Sequence, residues 1–307
     1  MKNGSKTLFD AIGNTPLVQL TALNGNNNVK IYAKLEGNNP GGSVKDRPAF
    51  YMIKMAEESG QLTKDKTIIE PTSGNTGIAI AMIGAAKGYK VKLFMPECVS
   101  TERQLILQAL GAEVVLTPAK ESTDGAIRRA YETSKAEPGK YFMPNQFDNP
   151  NNILSHYETT GPEIYRQTKG RVDVFVCAMG TTGTLIGTGK FLKEKIPGIK
   201  VVGIEPTVGH TIQGLKNLTE SVIPGIYDSD ALDEKIMVED GEAFETARLL
   251  ATKEGLFTGM SSGAAVAGAL KVAAGMKQGT IVVILPDRGD RYLSTTLFRS
   301  ICAKCPP

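Results

Sequence analysis

The chain of 307 residues contains no tryptophan and only two histidines, His156 and His210. Acid–base chemistry by histidine therefore has few candidates. We expect lysine, serine, threonine or a carboxylate to move protons in any reaction. The lack of tryptophan also makes the absorbance of a bound chromophore a cleaner probe than protein fluorescence.

The sequence also has little excess of positive over negative charge and no long apolar run. The 35 Lys and Arg residues against 32 Asp and Glu residues give a net charge of +3 without a basic run, which argues against a nucleic-acid partner. No stretch reaches the roughly 20 apolar residues that a membrane span needs. Residues 1–13 lack the apolar segment of a signal peptide, so we expect a cytoplasmic protein with no membrane partner.

The four cysteines, Cys98, Cys177, Cys302 and Cys305, do not form an evident metal site. Cys177 lies in an apolar, strand-like run and is expected to be a small buried side chain. Cys302 and Cys305 form one CxxC pair, and a zinc site would need two further ligands at suitable spacing. We therefore expect no bound metal and a frayed C-terminal tail.

Short β-like runs alternate with helical segments, which predicts parallel sheets with right-handed crossovers. The strands predicted in the first half are 67–70, 90–95 and 113–116, with helices at 78–87 and 100–110. Those predicted in the second half are strands 172–177, 200–205 and 280–285, with helices at 185–195, 243–254 and 263–274. The Asn- and Pro-rich stretch 145–152 predicts a domain boundary. We expect a cleft at the carboxyl ends of the strands.

Three loops rich in Gly, Ser and Thr lie at predicted helix starts. Gly180-Thr-Thr-Gly-Thr184 combines close backbone approach with hydroxyl groups, as in a phosphate cradle. Thr72-Ser-Gly-Asn-Thr76 suits a carboxylate. In Gly259-Met-Ser-Ser-Gly263 a serine can face a ring nitrogen. Taken singly, each loop also fits an ordinary tight turn or helix cap.

Lys45 follows a glycine turn in the segment Asn38-Asn-Pro-Gly-Gly-Ser-Val-Lys45. Lysine forms imines with aldehydes, and its pKa falls readily on desolvation, although a lysine near a helix start is often only a solvated charge. A rival hypothesis is a nicotinamide-dinucleotide site at Gly180-x-x-Gly183-x-x-x-Gly187, with Glu205 as the ribose-binding acid. The spacing differs from G-x-G-x-x-G, which disfavours that hypothesis.

In their joint order these segments resemble the fold type II (tryptophan synthase β-like) family of pyridoxal-phosphate enzymes, and within it the cysteine synthases (O-acetylserine sulfhydrylases). The resemblance runs from Ile12-Gly-Asn-Thr-Pro-Leu17 to Asp290-Arg-Tyr-Leu-Ser294. The segments 180–184 and 287–294 look more like the B-type than the A-type. The resemblance implies an α/β protein of two three-layer domains with mainly parallel sheets.

The resemblance also implies the limits of these domains. An N-terminal domain, 1–147, would carry Lys45 and the substrate carboxylate loop, and a C-terminal domain, 148–307, would carry the phosphate loop. Residues 1–35 are expected to pack on the other domain. Residues 91–135 are expected to form a mobile subdomain that closes over the cleft and keeps water out.

By the same resemblance, Lys45 is the catalytic residue and binds pyridoxal 5′-phosphate covalently. The other residues expected to bind the cofactor are Asn75 at the ring 3′-oxygen, Gly180, Thr181, Thr182, Gly183 and Thr184 at the phosphate, and Ser261 at the ring nitrogen. The residues expected to bind the substrate carboxylate are Thr72, Ser73, Thr76 and Gln146. Lys216 is a further candidate for substrate binding, or else a surface lysine.

The implied reaction is a β-replacement that forms L-cysteine from O-acetyl-L-serine and sulfide or thiosulfate, through an α-aminoacrylate intermediate. O-Phosphoserine as the donor, with Lys216 near its phosphate, is an alternative. Thiol β-replacement of the cystathionine β-synthase type and a non-catalytic ligand-binding homologue are further alternatives. The family implies a homodimer, and the B-type resemblance argues against serine acetyltransferase as a partner.

Overall fold

The computed structural model describes residues 7–72, 74–97 and 99–298. Within these residues the chain forms ten strands and nine α-helices. The strands are β1 (Leu17–Leu20), β2 (Val29–Leu35), β3 (Thr67–Pro71), β4 (Val91–Pro96), β5 (Glu113–Thr117), β6 (Tyr141–Phe142), β7 (Val174–Ala178), β8 (Lys200–Pro206), β9 (Glu234–Val238) and β10 (Gly279–Leu285). The helices are α1 (Asp46–Glu58), α2 (Asn75–Lys87), α3 (Thr101–Ala109), α4 (Ser122–Ala136), α5 (Pro150–Ser155), α6 (Gly161–Thr168), α7 (Gly183–Lys195), α8 (Asp240–Glu254) and α9 (Met260–Gly275).

The described strands form two sheets. The larger has the order β1-β2-β10-β7-β8-β9 and is parallel except for the antiparallel pair β1–β2. The smaller has the order β5-β4-β3-β6 and is parallel throughout. The predicted fold class, with βα alternation and mainly parallel sheets, is confirmed. The sequence did not predict β1, β2, β6 and β9. In the larger sheet β2 pairs with β10, and β1 pairs with β2 at the edge.

Helices cover both faces of each sheet, which gives the three layers. Alternate residues of β10 point to opposite faces, so that Val283 packs with α8 and α9 while Val282 packs with α6 and α7. In the smaller sheet Ile68 packs toward α1 and α2, and Ile69 packs toward α4. Because both faces are buried, these strands consist almost entirely of apolar residues.

Four helices, α2, α7, α8 and α9, begin two or three residues earlier than their apolar periodicity predicts, and α2 and α9 bear on the site. α2 begins at Asn75 rather than 78, and α9 begins at Met260 rather than 263. In both helices the first turn carries polar or small residues, which an apolar pattern does not detect. These first turns contribute the site described below.

A buried network of charges joins the larger sheet to α1 and α6. Lys34 Nζ lies 2.7 Å from Glu163, and Arg47 lies 2.7 Å from both Glu163 and Glu36. All four residues are buried. Burial by itself would raise the pKa of Glu163, but the hydrogen bonds and charges of Arg47 and Lys34 outweigh it and lower that pKa to about 2. The network fixes the first turn of α1, directly after Lys45.

The expectation for Cys177 is confirmed, because it lies buried in β7 and burial raises the pKa of its thiol to about 12. Cys98, Cys302 and Cys305 lie outside the described residues.

The domain limits at 147 and 148 and the mobile subdomain 91–135 stay predictions. In the described part of the chain, no helix is both long and apolar enough to cross a membrane.

We predict that Glu163→Gln destabilises the protein by about 3–5 kcal/mol, because it leaves two buried cations facing one remaining carboxylate. The measurement is the free energy of unfolding in urea, followed by circular dichroism at pH 7. The pKa of Glu163 is depressed in the folded state, so its contribution is complete above the ordinary value of 4.5 and is lost as the pH falls toward about 2. The difference between wild type and variant should therefore shrink over that pH window.

The matched control is Glu58→Gln, which breaks the exposed pair of Lys54 and Glu58 on α1. An exposed pair of this kind contributes less than about 1 kcal/mol. Equal losses in Glu163→Gln and Glu58→Gln would contradict a structural role for the buried network.

Candidate active site

A cavity of about 630 Å³ lies between the two sheets, at the carboxyl ends of their strands. The first turns of α2, α7 and α9 and the residue before α1 face it. The sequence-predicted site residues that line the cavity are Lys45, Thr72, Asn75, Thr76, Gln146, Gly180, Thr181, Thr182, Thr184, Lys216 and Ser261. Gly183 is the first residue of α7, directly after the lining residue Thr182. Ser73 lies outside the described residues.

Lys45 is the N-cap residue of α1 and is held at a junction between the two sheets. The backbone N–H of Val44 donates to the carbonyl of Pro286 (2.8 Å), and Ser43 pairs with Asp287 as an isolated bridge. Burial lowers the pKa of the Lys45 amine, although Cys177 and the Asp287 carboxylate act in the opposite direction. A buried amine with a lowered pKa has a larger neutral fraction, which is the nucleophilic and basic form.

The loop 180–184 connects β7 to α7 and has the features of an anion cradle. Thr182 has a left-handed backbone (φ 69°), and its buried hydroxyl has no hydrogen-bond partner within the described residues. A Cβ at position 180 would lie 2.5 Å from the carbonyl oxygen of Gly214, so only glycine fits there. The N-terminus of α7 adds free N–H groups and a partial positive charge.

Two buried side chains support this loop from behind. Asn152 Nδ2 donates to Thr181 Oγ1 (3.1 Å), and His156 Nε2 lies 3.1 Å from Thr184 Oγ1. Burial, followed by the charges of Arg47 and Lys45, lowers the pKa of His156 well below its usual value. His156 is therefore neutral at physiological pH and acts as a structural support, while His210 lines the cavity.

The first turn of α2 forms a second polar wall with the segment 145–146. Thr76 Oγ1 donates to Gln146 Oε1 (2.6 Å). The Glu70 carboxylate accepts the backbone N–H groups of Asn145 (3.0 Å) and Gln146 (3.2 Å). Burial raises the pKa of Glu70 to about 7, although these two N–H groups act to lower it. Glu70 thus positions Gln146, and it was missed because it appears in the sequence as an ordinary strand residue.

The alternative of a ribose-binding acid at Glu205 does not fit the structure. Its Oε1 accepts the backbone N–H of Leu218 (2.7 Å), and its Oε2 pairs with Lys235 (3.0 Å). Both carboxylate oxygens therefore have structural partners. Glu205 does not line the cavity.

Sequence reasoning also missed the residues that hold Asn75. Its Nδ2 donates to Asp287 Oδ2 (2.6 Å), and its Oδ1 accepts from the Arg291 guanidinium. Tyr292 donates its hydroxyl to the same Asp287 oxygen (2.6 Å). The segment 287–294 belongs to the family pattern in the sequence, but its residue types do not predict a contact with α2.

Arg103 on α3 reaches across the mouth of the cavity. Its guanidinium donates to Gln213 and lies 5.0 Å from the centroid of the Tyr292 ring. Glu102 of the same helix accepts the backbone N–H (3.0 Å) and hydroxyl (2.7 Å) of Ser294. α3 is thus connected by polar contacts to two segments of the C-terminal half.

Comparison with known proteins agrees with this geometry. The family described as "Pyridoxal-phosphate dependent enzyme" matches residues 8–287. Cysteine synthase B of Salmonella typhimurium is 48% identical over 292 residues, which are 95% of this chain and 96% of that protein.

Two solved structures extend the comparison. Cysteine synthase (OASS) of Entamoeba histolytica has a TM-score of 0.92 at 41% identity, over 97% of this chain and 92% of that chain. A hydrogen sulfide-producing enzyme of Fusobacterium nucleatum has a TM-score of 0.89 at 43% identity, over 94% of this chain and 100% of that chain. The resemblance predicted from the sequence is confirmed, and the chain belongs to the family of pyridoxal-phosphate dependent enzymes.

Proposed function

We propose that this chain is a cysteine synthase, which forms L-cysteine from O-acetyl-L-serine and sulfide. The observation that carries the proposal is the buried Lys45 amine with its lowered pKa, in a cavity shared with the anion cradle 180–184. The similarity to Cysteine synthase B of Salmonella typhimurium supports the choice of this reaction within the family.

The residues present fit pyridoxal phosphate. The unpartnered Thr182 hydroxyl and the N-terminus of α7 suit a phosphate group, since the loop contributes donors and no carboxylate. Asn75 and the neutral Ser261 line the same cavity, where they would bind the ring oxygen and the ring nitrogen. Lys45 would hold the cofactor aldehyde covalently.

When bound, the cofactor supplies an electron sink for negative charge at the substrate α-carbon. The Lys45 amine would take the proton from the substrate α-carbon and later return it. Thr72, Ser73, Thr76 and Gln146 would bind the substrate carboxylate, next to the N-terminus of α2. Acetate leaves the β-carbon and sulfide takes its place.

We also propose that residues 91–135 move to close the cleft and exclude water. The contacts of Arg103 with Gln213 and of Glu102 with Ser294 support this, because they join α3 to the other side of the cavity.

The domain limits 1–147 and 148–307, the homodimer, the cytoplasmic location and the absence of serine acetyltransferase binding remain proposals from the resemblance. Sedimentation velocity would test the dimer.

A second candidate donor, O-phospho-L-serine, is favoured by one observation. Lys216 lines the cavity, is half-buried, and lies 4.5 Å from the centroid of the Phe147 ring. Burial lowers the pKa of Lys216, with Asp124 acting in the opposite direction. An anionic leaving group near this amine would be stabilised by a charge-assisted hydrogen bond.

The first experiment is the visible absorption spectrum of the purified protein, titrated with O-acetyl-L-serine and O-phospho-L-serine in turn. A cofactor band that changes with a donor and returns on addition of sulfide supports the proposed reaction. The donor that acts at lower concentration is the preferred substrate. A protein that stays colourless after incubation with pyridoxal phosphate would contradict the proposal and favour a non-catalytic homologue.

We predict that Lys45→Ala lowers kcat for cysteine formation by about 10²–10⁴-fold, because it removes the base at the α-carbon. The variant should also fail to retain the cofactor after borohydride reduction and denaturation. Lys54→Ala, a change on the exposed face of the same helix, should match the wild type in both measurements. A Lys45→Ala variant with wild-type kcat would exclude the role given to this lysine.

We predict that Gly183→Ala weakens cofactor binding at least about tenfold, or ~1.4 kcal/mol. The new Cβ would lie 2.1 Å from Asn152 Oδ1, and Asn152 supports Thr181 in the phosphate loop. Spectrophotometric titration of the apoprotein with pyridoxal phosphate measures the dissociation constant. Gly241→Ala at the start of α8 is the control, since a Cβ there meets no atom within 4 Å.

We predict that Lys216→Ala raises KM for O-phospho-L-serine about tenfold and leaves KM for O-acetyl-L-serine unchanged, since only the phosphate needs a cation. Steady-state kinetics with both donors are the measurement. Lys190→Ala is matched to it, because the Lys190 amine also lies over an aromatic ring, Tyr157, but outside the cavity. An equal effect of Lys216→Ala on both donors would rule out phosphate recognition.

A further inference from the structure

The side-chain amide of Asn75 is fixed at both of its ends. Its nitrogen donates to the Asp287 carboxylate (2.6 Å), and its oxygen accepts from the Arg291 guanidinium. In the flipped orientation the amide oxygen would face a carboxylate and the amide N–H groups would face a guanidinium. Both contacts would be repulsive, so the pair of charged neighbours specifies one orientation.

The Asp287 carboxylate is itself held rigidly in place. It is 2% exposed, and its Oδ2 also accepts the Tyr292 hydroxyl (2.6 Å). Its Oδ1 packs against Gly259, where an added Cβ would lie 2.3 Å away. The Arg291 guanidinium also donates to the carbonyl of Gly41, in the turn that leads to Lys45. Both partners of Asn75 are therefore fixed by contacts to other parts of the site.

This arrangement leaves Asn75 with a defined hydrogen-bonding capacity. An amide nitrogen has two N–H groups, and Asp287 takes one of them. The other N–H remains for a ligand in the cavity, which Asn75 lines. In this fixed orientation Asn75 presents an N–H donor to the ligand. It therefore favours a ligand oxygen that accepts a hydrogen bond over a ligand hydroxyl that must donate one.

We infer that Asp287 and Arg291 are positioning residues, which orient the Asn75 amide so that it donates an N–H to the ring oxygen of the bound cofactor. The inference rests on the proposed function, from which the contact of Asn75 with the cofactor is taken. Neither residue need touch the substrate. The segment 287–292 thereby acquires a role in cofactor binding although it is distant from α2 in sequence.

The test compares Asp287→Asn with wild type in two measurements, the absorption maximum of the bound cofactor and its dissociation constant. An amide at 287 can flip and present either an acceptor or a donor to Asn75, so that Arg291 alone would specify the orientation of Asn75. We expect a displaced absorption maximum and about tenfold weaker binding, the effect of one lost hydrogen bond to a charged group. Asp290→Asn makes the same change of charge on a half-exposed side chain in the same turn, and should match wild type.

The decisive comparison is a double-mutant cycle with Asn75→Ala. If Asp287 acts through Asn75, then Asp287→Asn has no further effect on affinity or spectrum in the Asn75→Ala background. If the losses of cofactor affinity in the two single mutants add fully in the double mutant, the inference is overturned and Asp287 has a general structural role. Should Asp287→Asn fail to fold, as judged by circular dichroism, Arg291→Met replaces it in the same cycle with the same expectation.

The outcomes separate this inference from the proposed function. A wild-type protein that binds no pyridoxal phosphate would overturn both. A wild-type protein that binds the cofactor and forms cysteine, with Asp287→Asn equal to it in spectrum and affinity, would overturn the inference alone.

Discussion

The buried ion network of Lys34, Glu36, Arg47 and Glu163 is the constraint on which the site depends. It joins α6 to β2 and to the first turn of α1. Its member Arg47 lies two residues after Lys45. Four charges buried in the protein interior are stable only when opposite charges lie in direct contact. The network therefore restricts α1 to few alternative positions. Burial, and after it the charge of Arg47, lowers the pKa of His156, whose neutral ring supports the loop 180–184. The network thus fixes the helix that begins directly after Lys45.

The sequence predicted the central strands of both sheets and the three loops at the helix starts. Apolar runs and turn residues predicted β3 to β5, β7, β8 and β10, because buried parallel strands consist almost entirely of apolar residues. The joint order of Lys45 and the three loops predicted residues that do line one cavity. Parallel strands bring successive βα loops to the same edge, so order along the chain was informative about proximity.

The rest of the fold and of the site depends on contacts between segments that are distant in sequence. The type of a single residue does not predict such contacts. β1 and β2 are separated by a polar stretch, and the pairing of β2 with β10 and of β1 with β2 follows only from tertiary packing. Glu70 has the appearance of a solvent-facing strand residue, yet its carboxylate holds the backbone of Gln146. Asp287 and Arg291 belong to a charged turn typical of a surface. In each case burial and a remote partner determine the role of the residue.

The pairing of β2 with β10 has a consequence for synthesis of the chain. Val29 pairs with Gly279, so the larger sheet cannot close until residue 279, 250 positions after Val29, has left the ribosome. Until then β2 exposes an unpaired edge, and contacts of such long sequence separation form slowly. The bonds from Pro286 and Asp287 to the segment before Lys45 form equally late. The segment before Lys45 therefore reaches its final position only after residues 279–287 have been synthesised.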